Sequence, residues 1–385
     1  MRLNPRLAAL PTYPTVAIDR VRDALLAAGR TVYDFGTGDP IEPTPPFIRE
    51  ALRWSIADNC RYPTVLGEPG VRVAFAGYAR RRLGVTLDPA TEILPTSGSK
   101  EAVFHLPLLV VDPNSPDRTV IFPDPGYSVY YRGAVLAGGH PCPQPLSGDY
   151  VQRIWELPVE VLRQTRLAWI NTPHNPSGAV TSLDDLRRTW ETCREHDILL
   201  VSDECYMDVW FDEAPASILQ VPGALEPGSG VLAIYSLSKR SGMTGYRAGI
   251  VAGDRLAIAA LRGLRTNPGL APQDFVNTAA AAAWSDDVHA EERRLLFGAK
   301  RKLLVDFLES VGLTVTASEA SFYVWVRAPG GDGDAFAARL LEAGVLTNPG
   351  SFFAVTAAGR DHVRFALVPD LDGCRAAVEA MRAIL

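Results

Sequence analysis

Lysine is scarce in this chain of 385 residues: of its 38 basic side chains only Lys100, Lys239, Lys300 and Lys302 are lysines. Clustered positive charge is absent too, and the formal net charge is −6. Nucleic acids and anionic membranes select basic patches, so a small molecule or another subunit is the expected partner. The five cysteines, Cys60, Cys142, Cys193, Cys205 and Cys374, are odd in number, widely spaced and free of any Cys-x-x-Cys pair. That pattern points to reduced structural thiols in an intracellular, cytoplasmic protein rather than to a disulfide framework. Nowhere do about 18 apolar residues run together without a charge, so no spanning helix is expected. The first thirty residues carry prolines and charges where a secretory leader would need an apolar core, so none is expected. The six histidines lack His-Glu-x-x-His or any other ligand spacing, and no metal site is expected.

What is present is ample apolar material, 47% of the residues. Single cores stop growing at roughly 250–300 residues, so two lobes are expected. Short apolar runs at Thr119–Phe122, Leu167–Ile170, Ile198–Val201, Val231–Tyr235 and Gly249–Ala252, bounded by Pro, Gly, Asn or Asp, read as strands buried on both faces. Amphipathic helix patterns lie between several of them. The clearest runs from Leu183 to His196, with Ser182 as N-cap and Leu183, Leu186, Trp190 and Cys193 at helical spacing. Strand, helix, strand in this order predicts an α/β fold with a mostly parallel sheet and ligands beyond the C-terminal strand ends.

The last hundred residues change texture. A charged helix pattern from about Val288 to Val311, which includes Lys300 and Lys302, precedes an aromatic strand at Phe322–Val326. A helix near Asp334–Ala343, a strand at His362–Leu367 and a terminal helix follow, the pattern of an α+β lobe. The expected division is an N-terminal segment, 1–35, contributing to the smaller domain, a large domain at 36–285 and a C-terminal small domain at 286–385. Gly330–Gly333 reads as a turn within that last lobe.

Chemistry concentrates at two strand ends. Ile198–Val201 runs into Ser202-Asp203-Glu204-Cys205-Tyr206, placing an acid at the rim of a buried strand, where a carboxylate is costly unless paired or hydrogen-bonded. Val231–Tyr235 runs into Ser236-Leu237-Ser238-Lys239, placing a lysine at the same rim. Lysine is rarely buried without a reason, and an amine that captures a carbonyl as a Schiff base is the reason enzymes exploit most. Ser236, Ser238 and the downstream Arg247 suit a phosphate dianion, as does the helix opening at Thr96-Ser97-Gly98-Ser99-Lys100. A cofactor carrying both aldehyde and phosphate explains both clusters, and pyridoxal phosphate is that molecule.

Together with Asn171-Thr172-Pro173-His174-Asn175-Pro176-Ser177-Gly178, these motifs resemble the pyridoxal-phosphate-dependent class I/II aminotransferases of fold type I. The resemblance spans nearly the whole chain. Within that family, the stretches from Gly98 to Pro107, Ser236 to Gly249 and Pro349 to Asp370 are most similar to N-succinyldiaminopimelate aminotransferases of bacterial lysine biosynthesis. It implies a large domain with a mixed, mostly parallel sheet flanked by helices, a smaller α+β domain, and a homodimer with shared active sites. Lys239 is implied as the Schiff-base lysine and proton shuttle, Asp203 as the partner of the pyridine nitrogen, and Tyr206 with Asn175 as donors to the phenolic oxygen. Tyr127 matches the aromatic stacked on the ring. Gly98, Ser99, Lys100, Ser236, Ser238 and Arg247 match the phosphate cup, and Tyr62 a tyrosine reaching the phosphate of the neighbouring subunit. Arg364 matches the fork that grips the substrate carboxylate, and Gly38 and Asn175 positions beside the substrate. The implied reaction is amino transfer between glutamate and a dicarboxylic oxo acid such as N-succinyl-2-amino-6-oxopimelate.

Two stretches depart from the family pattern. His174 enters a turn that usually reads Pro-Asn-Asn-Pro, and Phe353-Ala354-Val355-Thr356-Ala357-Ala358-Gly359 replaces a Gly-rich turn near where substrate choice is decided. An enzyme of the same fold that carries out elimination, replacement or carbon–carbon bond formation shares the same motifs. Other readings fail on the residues. Ser236-x-x-Lys239 and Ser97-x-x-Lys100 lack the Lys-Thr-Gly element of penicillin-binding acylases. Gly36-x-Gly38 lacks the third glycine of a dinucleotide fingerprint. The segment before Gly36 is too short and too weakly basic for the helix-turn-helix of an aminotransferase-like regulator.

Overall fold

The computed structural model describes residue 1, residues 4–11 and residues 14–385. Seven strands build the main sheet: β1 Ile93–Thr96, β2 Thr119–Asp124, β3 His140–Pro145, β4 Thr165–Asn171, β5 Leu199–Asp203, β6 Val231–Ser236 and β7 Gly249–Gly253. Their order is β1-β7-β6-β5-β4-β2-β3. β7 runs antiparallel to both neighbours, and every other pairing is parallel. Both faces are covered: along β4, Leu167 and Trp169 pack into one apolar cluster while Ala168 and Ile170 pack into another. That is why these strands read as continuous apolar runs.

β1 and β3 were not among the expected strands. β3 reads His-Pro-Cys-Pro-Gln-Pro, and its prolines cannot donate to a ladder; they are tolerated because β3 is an edge strand paired only with β2. The helix after β4 spans Leu183–Glu195, and the Ser182 hydroxyl accepts from the Asp185 amide at 3.1 Å. Leu186, Trp190 and Cys193 are buried there, whereas Leu183 faces solvent.

A second, antiparallel sheet comprises β8 Val315–Ala317, β9 Tyr323–Arg327, β10 Asn348–Pro349 and β11 His362–Ala366, in the order β10-β11-β9-β8. The helices Val288–Ser310, Gly333–Glu342 and Leu371–Arg382 accompany it. Tyr33–Asp34 pairs in parallel with Val345–Leu346, and Phe35 meets Phe365 edge-on at 5.8 Å, so the chain just before Gly36 joins this region. The two lysines of the charged helix differ in their surroundings, and Lys300 is the buried one. It is fully buried, ion-paired with Glu42, and donates to the Leu367 carbonyl at 3.3 Å, whereas Lys302 stays exposed beside Asp306. Among the described residues no helix is long and apolar enough to cross a membrane.

The sheet positions the site. Asp124, Asn171, Asp203 and Ser236 are the last residues of β2, β4, β5 and β6, four strands that lie side by side, so their side chains emerge along one edge.

Candidate active site

Above that edge lies a cavity of about 370 Å³, lined by all of the expected site residues except Gly98 and Tyr62. Asp203 closes β5, one strand from Lys239, and is buried. Its carboxylate accepts from the Tyr130 hydroxyl at 2.8 Å and from the Cys205 amide at 3.3 Å. Burial pushes its pKa above the usual carboxylate range, and the hydrogen bonds from Cys205 and Tyr130 oppose that rise. No basic side chain of the described residues pairs with it. Tyr130, which the motifs did not bring forward, is fully buried and stacks on Trp169 at 5.1 Å.

Lys239 sits in the short helix Leu237–Arg240 directly after β6. The Ser236 hydroxyl caps that helix, accepting from the Ser238 amide at 3.1 Å, and so fixes where the lysine leaves the strand. The amine is open to the cavity and donates to the Gly38 carbonyl. Burial lowers it to about 8 from 10.5; Asp39 and Cys205 pull upward, and Arg364 and Arg247 add to the fall.

At one side of the cavity Ser99, Lys100, Ser236, Ser238, Thr244 and Arg247 supply hydroxyls and charge. Arg247 holds a left-handed backbone, φ 57°, and donates to the Thr244 carbonyl at 2.9 Å. Its guanidinium lies where a Cβ on Gly98 would stand, and the Gly98 φ of 78° is one that favours glycine. The Gly98 amide donates to the Thr96 carbonyl at 2.8 Å.

Across the cavity Arg364, on β11, is buried. It donates to Asn175 Oδ1 and to the Gly36 carbonyl, each at 2.9 Å. Its guanidinium is sandwiched between the rings of Tyr323, at 4.2 Å, and Phe353, at 4.5 Å. The Tyr323 hydroxyl lies 3.0 Å from that of Tyr206. Tyr323 was read as part of an aromatic core strand; the usable signal was that a buried tyrosine hydroxyl needs a partner. Tyr127 lines the same cavity. Tyr62 does not: its side chain is 99% exposed.

His174 is buried and does not line the cavity. Its Nε2 lies 3.0 Å from the Pro125 carbonyl, which can only accept, so Nε2 carries the proton and Nδ1 accepts from the Ser177 hydroxyl at 2.7 Å. It thereby ties the turn carrying Asn175 to the turn carrying Tyr127. Burial lowers its pKa from 6.5 to about 4. Because the folded value is the lower one, the neutral ring contributes full stability above pH 6.5, and about 3 kcal/mol is lost as pH falls from 6.5 toward 4. Thermal melts across that window should show a steeper acid loss for the native chain than for His174→Asn. Parallel curves would contradict this.

A buried carboxylate without a basic partner, a neighbouring amine of lowered basicity, and a group of hydroxyls with a guanidinium fit a ligand bearing a protonated ring nitrogen, an aldehyde and a phosphate. The comparisons with known proteins agree. The family model described as aminotransferase class I and II matches residues 30–381. An LL-diaminopimelate aminotransferase of Desulforudis audaxviator is 37% identical over 388 residues, covering 99% of this chain and 97% of that one. One of Aquifex aeolicus is 34% identical over 358 residues, 91% of each chain. An aminotransferase structure from Neisseria meningitidis superimposes with a TM-score of 0.90 at 32% identity over 100% of both chains. A probable N-succinyldiaminopimelate aminotransferase from Thermus thermophilus gives 0.88 at 26% identity, covering 97% of this chain and 100% of that one. The chain belongs to the class I and II aminotransferases, enzymes whose cofactor is pyridoxal phosphate.

Proposed function

We propose that the enzyme moves an amino group between glutamate and the oxo form of a diaminopimelate-type amino acid, with LL-diaminopimelate favoured over its N-succinyl derivative. The names of the relatives at 34% and 37% identity support this order. The N-succinyl reading rests on a structural neighbour at 26%. The observation that carries amino transfer is that the Lys239 amine, the Asp203 carboxylate and the Arg364 guanidinium face one cavity.

In this reading Lys239 would hold the cofactor through its aldehyde and would take the proton from, and return it to, the substrate α carbon. When bound, pyridoxal phosphate supplies that aldehyde and an electron-withdrawing ring. Asp203 would hold the ring nitrogen, Tyr206 and Asn175 the phenolic oxygen, and Tyr127 a ring face. Ser99, Lys100, Ser236, Ser238 and Arg247 would hold the phosphate, with Gly98 leaving room for Arg247. Arg364, beside Gly38, would grip the substrate carboxylate. The exposed Tyr62, together with Trp54 at 89% and Ile56 at 57% exposure, supports a homodimer in which Tyr62 reaches the neighbouring phosphate.

Two measurements test the reading. Glutamate added to the loaded enzyme should bleach its visible band and release one equivalent of 2-oxoglutarate per site. Subsequent return of colour with the oxo form of LL-diaminopimelate, and not with the succinylated acid, identifies the second substrate. Glutamate binding without keto acid would instead favour elimination, replacement or carbon–carbon bond formation. The pH dependence of cofactor uptake provides a check on the lysine. Since the Lys239 amine is neutral above about pH 8, the rate of reconstitution should climb to that pH and then level off. A rate still rising toward 10.5 would contradict its placement.

A further inference from the structure

We propose that Asp124 is a positioning residue for the Arg364 guanidinium: it anchors the 353–356 loop, whose Phe353 ring covers one face of Arg364, and thereby sets affinity for the substrate carboxylate. The inference rests on the reading of Arg364 as the carboxylate fork. Asp124 ends β2 and is 1% exposed. A buried carboxylate persists only where its acceptor capacity is used, and here every donor comes from one loop. Oδ1 accepts from the Val355 amide at 2.8 Å. Oδ2 accepts from the Thr356 amide at 3.0 Å and from the Thr356 hydroxyl. Two residues on, the Gly126 amide donates to the Phe353 carbonyl at 2.9 Å. The loop is therefore fastened to the β2 strand end at Phe353 itself and again at Val355 and Thr356 just beyond it.

This loop belongs to one of the two stretches in which the sequence departs from the pattern of the family it resembles. Its Phe353 ring stands 4.5 Å from the Arg364 guanidinium carbon, opposite Tyr323. Hydrogen bonds from the Arg364 fork to Asn175 and Gly36 fix its ends. The two rings fix its plane. The turn that follows Asp124 also carries Tyr127, which lines the cavity, and its Pro125 carbonyl accepts a hydrogen bond from His174 Nε2.

Asp124→Asn places an NH₂ group against N–H and O–H donors and releases the loop. Michaelis constants for glutamate and 2-oxoglutarate should rise about tenfold, while kcat changes less than about threefold, because a lost binding contact common to ground and transition states appears in KM. Thr356→Val, which removes one donor and keeps the shape, should move KM in the same direction by a smaller factor. The visible spectrum of the bound cofactor should not change in either variant. A double-mutant cycle with Arg364→Lys supplies the readout that a merely structural role would not move. Arg364→Lys alone should raise KM, and Asp124→Asn should then add little. If Asp124→Asn raises KM by the same factor in both backgrounds, or Thr356→Val and Asp124→Asn both leave KM unchanged, the proposal is overturned. If Arg364→Lys itself leaves KM unchanged, the carboxylate reading falls and the proposal with it.

Discussion

Lys239→Ala is expected to yield a colourless enzyme that cannot be labelled by borohydride, with kcat reduced at least about 10⁴-fold, the upper range for loss of a positioned acid–base group. Two functions disappear together. On the proposed reading, the amine that would capture the cofactor aldehyde is gone, and so is the group that would move the proton. Arginine cannot substitute, because a guanidinium stays protonated and is no nucleophile. Its neighbourhood supports the proposal: the Ser236 cap fixes the start of its helix, the Gly38 carbonyl accepts a hydrogen bond from the amine, and burial lowers its basicity to about 8. Absorbance, borohydride labelling followed by mass spectrometry, and single-turnover kinetics check the result. A yellow, labelled Lys239→Ala protein would place the attachment point elsewhere.

Asp203→Asn is expected to keep the colour and lose the catalysis. The amide preserves shape and can still accept from Tyr130, but it cannot balance a protonated ring nitrogen in a buried site. Breaking a buried pair costs about 3–5 kcal/mol, so kcat should fall by roughly two to four orders of magnitude while Lys239 still binds the cofactor. The contrast between the two variants is informative, since one loses attachment and the other loses electronic control. Retention of kcat within about tenfold in Asp203→Asn would remove the acid from the mechanism.

Much of this site was legible in the sequence because its parts lie at strand ends. Apolar runs that are buried on both faces announce β4, β5 and β6, and whatever polar residue follows each run must emerge at the same edge. Asp203 and Lys239 were therefore brought together before any coordinates, and scarcity of lysine made the second conspicuous. β3 was missed because its prolines hide an edge strand. The burial of Lys300 was not legible because its partner Glu42 is distant in sequence, and helical periodicity carries no information about contacts at that separation.

Local sequence thus decided the strand order of chemistry: which residues stand at the rim, which family they fit, and which cofactor suits them. Tertiary structure alone decided the pairings across the cavity. Tyr130 on Asp203, Tyr323 on Tyr206 and the Asp124 clamp join residues dozens to hundreds of positions apart, and Phe353 meets Arg364 across the turn between them. The physical reason is that propensity and patterning act over a few residues, whereas hydrogen bonds and ring contacts depend on distances that exist only once the chain has folded.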